Sequence, residues 1–204
     1  MIIYKPLHEK DFNQVIKIAS IGLQLKRYCS NEDEFNLFSK AYAYEYLANA
    51  TYALGAYDKD ICVGFILGVF KNEKKFFNSK YEKLSEECYK KLFLNELPSK
   101  NGDLYSKACD ELLKKANKKY DGELSLFAID SNCQGHGVGK ELLGQFMTYA
   151  KEKNYDIIYV MTDTDCNIDF YPKNGFHFVD NKKIKFIYDK LLELNCFLYD
   201  KEIY

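Results

Sequence analysis

The run Glu123-Leu124-Ser125-Leu126-Phe127-Ala128-Ile129, followed closely by Cys133-Gln134-Gly135-His136-Gly137-Val138-Gly139-Lys140-Glu141, sets three glycines between a β-rich apolar stretch and a segment with helical spacing. Val138, Leu142, Leu143, Phe146 and Ala150 recur at three- and four-residue intervals, which predicts an amphipathic helix over about 137–153. Glycine removes the side chain that would keep a ligand away from backbone N–H groups. The first helical turn adds unpaired N–H donors and the positive end of the helix dipole. Such a strand, turn and helix junction suits a phosphate or pyrophosphate.

Spacing separates the phosphate-binding loops. A P-loop needs Gly-x-x-x-x-Gly-Lys-Ser/Thr, yet Gln134 stands where the first glycine belongs and Glu141 where the hydroxyl residue belongs. A dinucleotide fingerprint needs Gly-x-Gly-x-x-Gly, whereas Gly135, Gly137 and Gly139 alternate. The pattern that fits is Gln-x-x-Gly-x-Gly, met by Gln134, Gly137 and Gly139. With these residues the chain resembles the GNAT superfamily of acyl-CoA-dependent N-acyltransferases. A second block, Asp163-Thr164-Asp165-Cys166-Asn167-Ile168-Asp169-Phe170-Tyr171-Pro172-Lys173-Asn174-Gly175-Phe176, resembles that family's second signature in the expected order. Pro172 departs from the commoner polar residue after the tyrosine, but proline is tolerated in a first helical turn.

The resemblance implies a mixed α/β fold whose central, mostly antiparallel sheet splays at one parallel strand pair around acetyl-CoA. The backbone of Gly135, His136, Gly137, Val138, Gly139 and Lys140 would hold the diphosphate, with Gln134 fixing the turn and the His136 side chain pointing outward. Phe127, Ala128 and Ile129 would offer backbone amides to the pantetheine and the thioester carbonyl, Asn167 would bond the pantetheine, and Tyr171 would lie beside the sulfur. The implied activity is acetyl transfer to a primary amine, the acceptor being a small molecule or a peptide. A non-catalytic acyl-CoA sensor on the same fold, and transfer of a longer acyl group, stay open, as does a homodimer.

Direct attack on a thioester needs a neutral amine, a polarised carbonyl and a proton for the leaving thiolate. A tyrosine, with an ordinary pKa of about 10, stays protonated at neutral pH, which makes Tyr171 the general acid. Glu123, at the head of the glycine-loop strand, is the leading base, although a solvent-facing strand end reads equally well, and Asp130 shares that ambiguity. Asp163 and Asp165 follow the next strand and either face the acceptor or cap the short helix.

Composition narrows the setting. With 29 basic and 30 acidic side chains the net charge is -1, which gives no field for a nucleic acid or an anionic membrane. The N-terminal MIIYKPLHEKDF has neither a signal peptide's apolar stretch nor an anchor. Seven cysteines without a C-x-x-C pair read as reduced thiols of a cytoplasmic protein, with no metal expected. One domain over 1–204 is the expectation. Strands are predicted at 2–5, 51–57, 61–70, 123–129 and 156–162, near 176–179 and toward 196–203, and helices at 9–25, 35–49, 137–153 and about 168–173. A Lys-rich helical insertion over 71–119, broken at Leu97-Pro98-Ser99-Lys100-Asn101-Gly102, completes the chain as part of the acceptor wall, its Phe76, Phe77, Tyr81, Tyr89 and Phe93 read mainly as core.

Overall fold

The computed structural model describes residues 1–92, 97–187 and 191–203, with backbone alone at 97–103 and at 187. Among the described residues seven strands form one sheet: β1 (Ile2–Pro6), β2 (Tyr52–Asp58), β3 (Ile61–Phe70), β4 (Gly122–Ile129), β5 (Ile157–Asp163), β6 (His177–Ile187) and β7 (Leu191–Glu202). Their order is β1-β2-β3-β4-β5-β7-β6. Every pairing is antiparallel except β4 with β5. That parallel pair is joined in register only at Gly122↔Ile158 and Glu123↔Tyr159. Beyond those two rungs the strands part, so the β5-facing backbone groups of residues 124–129 have no strand partner.

Helices cover both faces. α1 (Phe12–Gly22) and α2 (Glu32–Asn49) pack on one face, where Leu7, Phe12, Val15, Leu47, Phe65, Leu126 and Ala128 form a core. α5 (Val138–Glu152) buries its predicted stripe on the other face against Leu54, Ile66, Phe70, Leu124, Ile158 and Val160. A third cluster sets Ala108 and Leu112 of α4 (Leu97–Ala116) against Ile184, Phe186, Leu192, Leu194 and Leu198 of the β6–β7 hairpin. Leu124 and Leu126 alternate with their neighbours yet join different cores. The register of β3 with β4 skips Ser125, pairing Leu67 with Leu126 and Gly68 with Leu124, and this bulge exchanges the faces midway along β4.

The Lys-rich insertion differs from its sequence expectation in detail. No helix covers 71–79; helix begins at α3 (Lys80–Leu92) and resumes at Leu97. Leu97 to Gly102 therefore open α4 and do not break a helix. Pro98 falls in the first turn, where its missing N–H needs no partner, and an interior glycine such as Gly102 costs a helix only about 1 kcal/mol. Phe93 lies outside the described residues. The strand expected near 176–179 runs on to Ile187, and the one expected toward 196–203 begins at Leu191. The short helix shrinks to α6 (Phe170–Lys173).

Phe146 is fully buried and centres the α5 core, with its ring centroid 5.2 Å from that of Phe70 and 5.4 Å from that of Tyr52. Phe146→Ala is expected to destabilise the protein by about 3–5 kcal/mol, read as a lower urea midpoint at unchanged m-value.

Candidate active site

A cavity of about 1220 Å³ occupies the gap between the diverging ends of β4 and β5. At one end lies the glycine turn. Gly135 (φ 78°) and Gly137 (φ 82°) adopt left-handed backbone, and a Cβ on either would meet nothing within 4 Å, so the loop backbone faces open space. Gly137 is the N-cap of α5 and caps it with no side chain, which leaves the first-turn amides available. Gly139 serves packing: a Cβ there would approach Phe127 Cζ to 3.3 Å and Phe170 Cε2 to 3.6 Å. Gln134 Nε2 donates to the Ile129 carbonyl (3.4 Å) and ties the loop to the end of β4.

Gln134, Gly135, Gly137, Gly139 and Lys140 line the cavity, as do Phe127, Ala128 and Ile129 of β4. The exposed His136 side chain is not on that lining, and Val138 is buried in the α5 core, so each has only backbone to offer. Asn167 lines the cavity as an exposed residue after β5. Tyr171, also on the lining, is 8% exposed. Phe170 and Phe176 meet its ring edge-on at centroid distances of 5.7 and 5.6 Å, and Tyr199 stacks on it at 5.9 Å. Burial, with Cys166 and the Asp163 carboxylate nearby, pushes its phenol above the ordinary tyrosine value. Two wall hydroxyls, Ser125 Oγ and Thr162 Oγ1, are buried without a hydrogen-bond partner of good geometry, although Thr162 lies near enough to Tyr171 to act on its phenol.

The sequence profile of the acetyltransferase (GNAT) family matches residues 23–176. The chain belongs to that family. No curated protein sequence matches it. Among solved structures, PH1933 from Pyrococcus horikoshii superposes with a TM-score of 0.61 at 20% identity, covering 99% of this chain and 98% of its own. An N-acetyltransferase from Staphylococcus aureus gives 0.56 at 12%, covering 100% and 99%. A NatC complex bound to Gag peptide and CoA gives 0.53 at 15%, again over 100% and 99%.

The other half of this acetyltransferase's cavity is built from distant segments. Glu123 and Tyr159, paired across the parallel rungs, both line it. Burial raises the Glu123 pKa, and the neighbouring Tyr159 phenol partly offsets that. Asp130 is not on the lining; it accepts from the Asn132 backbone N–H (2.9 Å) and side-chain amide (3.1 Å), capping its turn. Asp163 lines the cavity, accepts from the Asp165 N–H (2.8 Å), and is raised by burial. Asp165 pairs with Arg27 and accepts from the Tyr28 hydroxyl (2.7 Å), which docks the α1–α2 connection onto the turn after β5.

Sequence reasoning missed the α2 contribution. Phe38, Tyr42, Glu45, Tyr46 and Asn49 line the cavity at helical spacing, while Ser39, Ala41, Ala43, Leu47 and Ala48 are buried on the same helix. The insertion supplies Tyr89, Tyr105 and Cys109 to the wall, whereas Phe77 and Tyr81 pack on Phe12 in the core. Phe76 stays 43% exposed.

Because the folded protein raises the Glu123 pKa, it binds that proton more tightly than the unfolded chain does. The resulting penalty is absent below the ordinary glutamate pKa and grows as pH rises through the raised value. Glu123→Gln is therefore expected to raise the Tm at pH 7, with a smaller gain at pH 4, in scanning calorimetry run at both.

Proposed function

We propose that the chain moves an acetyl group from acetyl-CoA to a primary amine by direct attack, with Tyr171 as general acid and Glu123 as general base. The observation that carries this reading is the parting of β4 from β5 after two rungs, with the open glycine turn at one end of the gap and Tyr171 and Glu123 on its walls. The residues fit the cofactor: an uncapped helix N-terminus for the diphosphate, unpaired β4 amides for the pantetheine, and a buried Ser125 hydroxyl without a partner on the cavity wall. The NatC relative, which binds CoA, supports the same donor.

In the reaction the amine nitrogen forms a bond to the thioester carbonyl carbon and the carbon–sulfur bond breaks. The amine's proton passes to Glu123, whose raised pKa makes it a better base than an ordinary carboxylate. The sulfur takes its proton from the Tyr171 phenol. Backbone N–H groups of Phe127, Ala128 and Ile129 stabilise the charge that develops on the carbonyl oxygen.

Thiol release from acetyl-CoA in the presence of a panel of amines tests the activity. Tyr171→Phe is expected to lower kcat about 10²-fold or more while CoA affinity, measured by calorimetry, stays within a few fold. Gly137→Val should instead abolish CoA binding, since it forces a branched side chain into left-handed backbone over the loop. Full turnover by Tyr171→Phe would remove the acid assignment, and retained CoA affinity in Gly137→Val would remove the diphosphate assignment.

A further inference from the structure

The last rung of the parallel pair belongs to a longer row. Glu123 on β4 is in register with Tyr159 on β5, and Tyr159 is in register with Asp200 on β7. Side chains that pair across neighbouring strands stand on one face of a sheet. Leu124, Ile158 and Tyr199, next to them in the chain, belong to the α5 core, so Glu123, Tyr159 and Asp200 project from the opposite face, where Tyr159 packs with the α4 cluster. Of the three, Glu123 alone handles a proton in the proposed acetyl transfer.

The far end of the row is fixed. Asp200 is 3% exposed, and its Oδ2 accepts from Lys118 Nζ (2.6 Å) and from the Tyr120 hydroxyl (3.1 Å). Lys118 thereby neutralises a carboxylate that stands only two strand spacings, about 10 Å, from Glu123. The buried Tyr120 ring lies against that of Tyr159 at a centroid distance of 4.9 Å. The near end is fixed as well: Asp121 Oδ2 accepts from the Asp156 and Ile157 N–H groups (2.8 and 3.1 Å), which fastens β4 to β5 immediately before the two rungs. Tyr159 is held at its backbone and at its ring, with its phenol beside the Glu123 carboxyl and both residues on the cavity wall. A glutamate side chain has several rotamers open to it, whereas a base must stand within hydrogen-bond reach of the proton it takes. A fixed phenol that donates to one carboxylate oxygen selects among those rotamers.

We propose that Tyr159 is a positioning residue for the base: its hydroxyl donates to the Glu123 carboxylate and aims the other oxygen into the gap between β4 and β5, while Tyr120 and Asp200 brace its ring. The proposal rests on the acetyl-transfer reading above and adds to it a residue that acts through Glu123. Tyr46 from α2 and Cys109 from α4 also face Glu123, and Val69 pairs with it from β3. Burial holds that phenol and that thiol neutral at pH 7, and the Glu45 carboxylate beside Tyr46 accepts from the Tyr89 hydroxyl (2.7 Å).

The experiment has a spectroscopic and a kinetic arm. In NMR of the full chain, isotope-labelled at tyrosine Cζ and glutamate Cδ, one tyrosine signal is expected to titrate with the same midpoint as the Glu123 carboxyl and to stop doing so in Glu123→Gln. Tyr159→Phe, which keeps the ring against Tyr120, should raise that midpoint by about one pH unit, because it removes a bond that favours the charged carboxylate. In thiol release from acetyl-CoA with the fastest-reacting amine of the panel, the acidic limb of kcat/KM should move up in pH by the same amount and the plateau kcat should fall severalfold, with CoA affinity within a few fold. A tyrosine spectrum blind to Glu123, an unmoved midpoint in Tyr159→Phe, or a moved midpoint with an unchanged kinetic limb overturns the positioning role and leaves acetyl transfer standing. No thiol release by the unmodified protein with any amine overturns the acetyl-transfer reading, and the base role that Tyr159 serves falls with it. The tyrosine titration is read on the unmodified protein and on Glu123→Gln, so it decides the question even if Tyr159→Phe does not fold.

Discussion

Two rungs of parallel pairing at Gly122 and Glu123 hold β4 to β5, and the site exists because there is no third. Parting a sheet in its middle exposes backbone donors and acceptors, each costly if buried without a partner. The structure limits the loss by giving each strand a full ladder on its other side, β3 along β4 and β7 along β5. Helix packing does the rest. α5 spans the β2–β4 side, and α4 braces β6 and β7. The gap is a local defect inside a sheet that is otherwise closed, and its unpaired amides are directed where a ligand can use them.

The bulge at Ser125 decides which chemistry meets which face. Before it, Leu124 turns into the α5 core; after it, Leu126 and Ala128 turn into the α1–α2 core while Phe127 and Ile129 take the α5 side. Glu123 consequently lies beside Tyr159 on the cavity, and Phe127 meets Phe170 and the start of α5 near the glycine turn. The partial positive charge of the helix terminus and the Glu123 carboxylate thereby stand toward opposite ends of β4 within one continuous space.

Local features were legible in the sequence and distant assembly was not. The turn from Gln134 to Gly139 and the block from Asn167 to Tyr171 carry their meaning in a few consecutive residues, because left-handed backbone and a helix start are local events. The α5 stripe was equally readable, since one helix buries it against one sheet face. The rest of the cavity wall draws on α2, α3, α4 and β5, so its tyrosines look like any others until the chain is folded. α2 misleads for a physical reason: alanines and Leu47 face the core while Phe38, Tyr42 and Tyr46 face a cavity, which blurs the contrast between its sides. Beyond Val179, β6 hides for a related reason. Lysines occupy its outer positions, and Ile184 and Phe186 are buried only because α4 covers them.

The burial that positions Tyr171 also constrains how it can act. Its ring is fixed by Phe170, Phe176 and Tyr199, and the same enclosure lifts its pKa well above that of a thiol, ordinarily about 8.5. In the proposed reaction a phenol in that condition stays protonated at neutral pH and is able to donate a hydrogen bond to the sulfur. Complete transfer of its proton, however, creates a phenolate beside the Asp163 carboxylate, which is electrostatically uphill. A positive charge near Asp163 would lower the same barrier by neutralising the charge that opposes the phenolate.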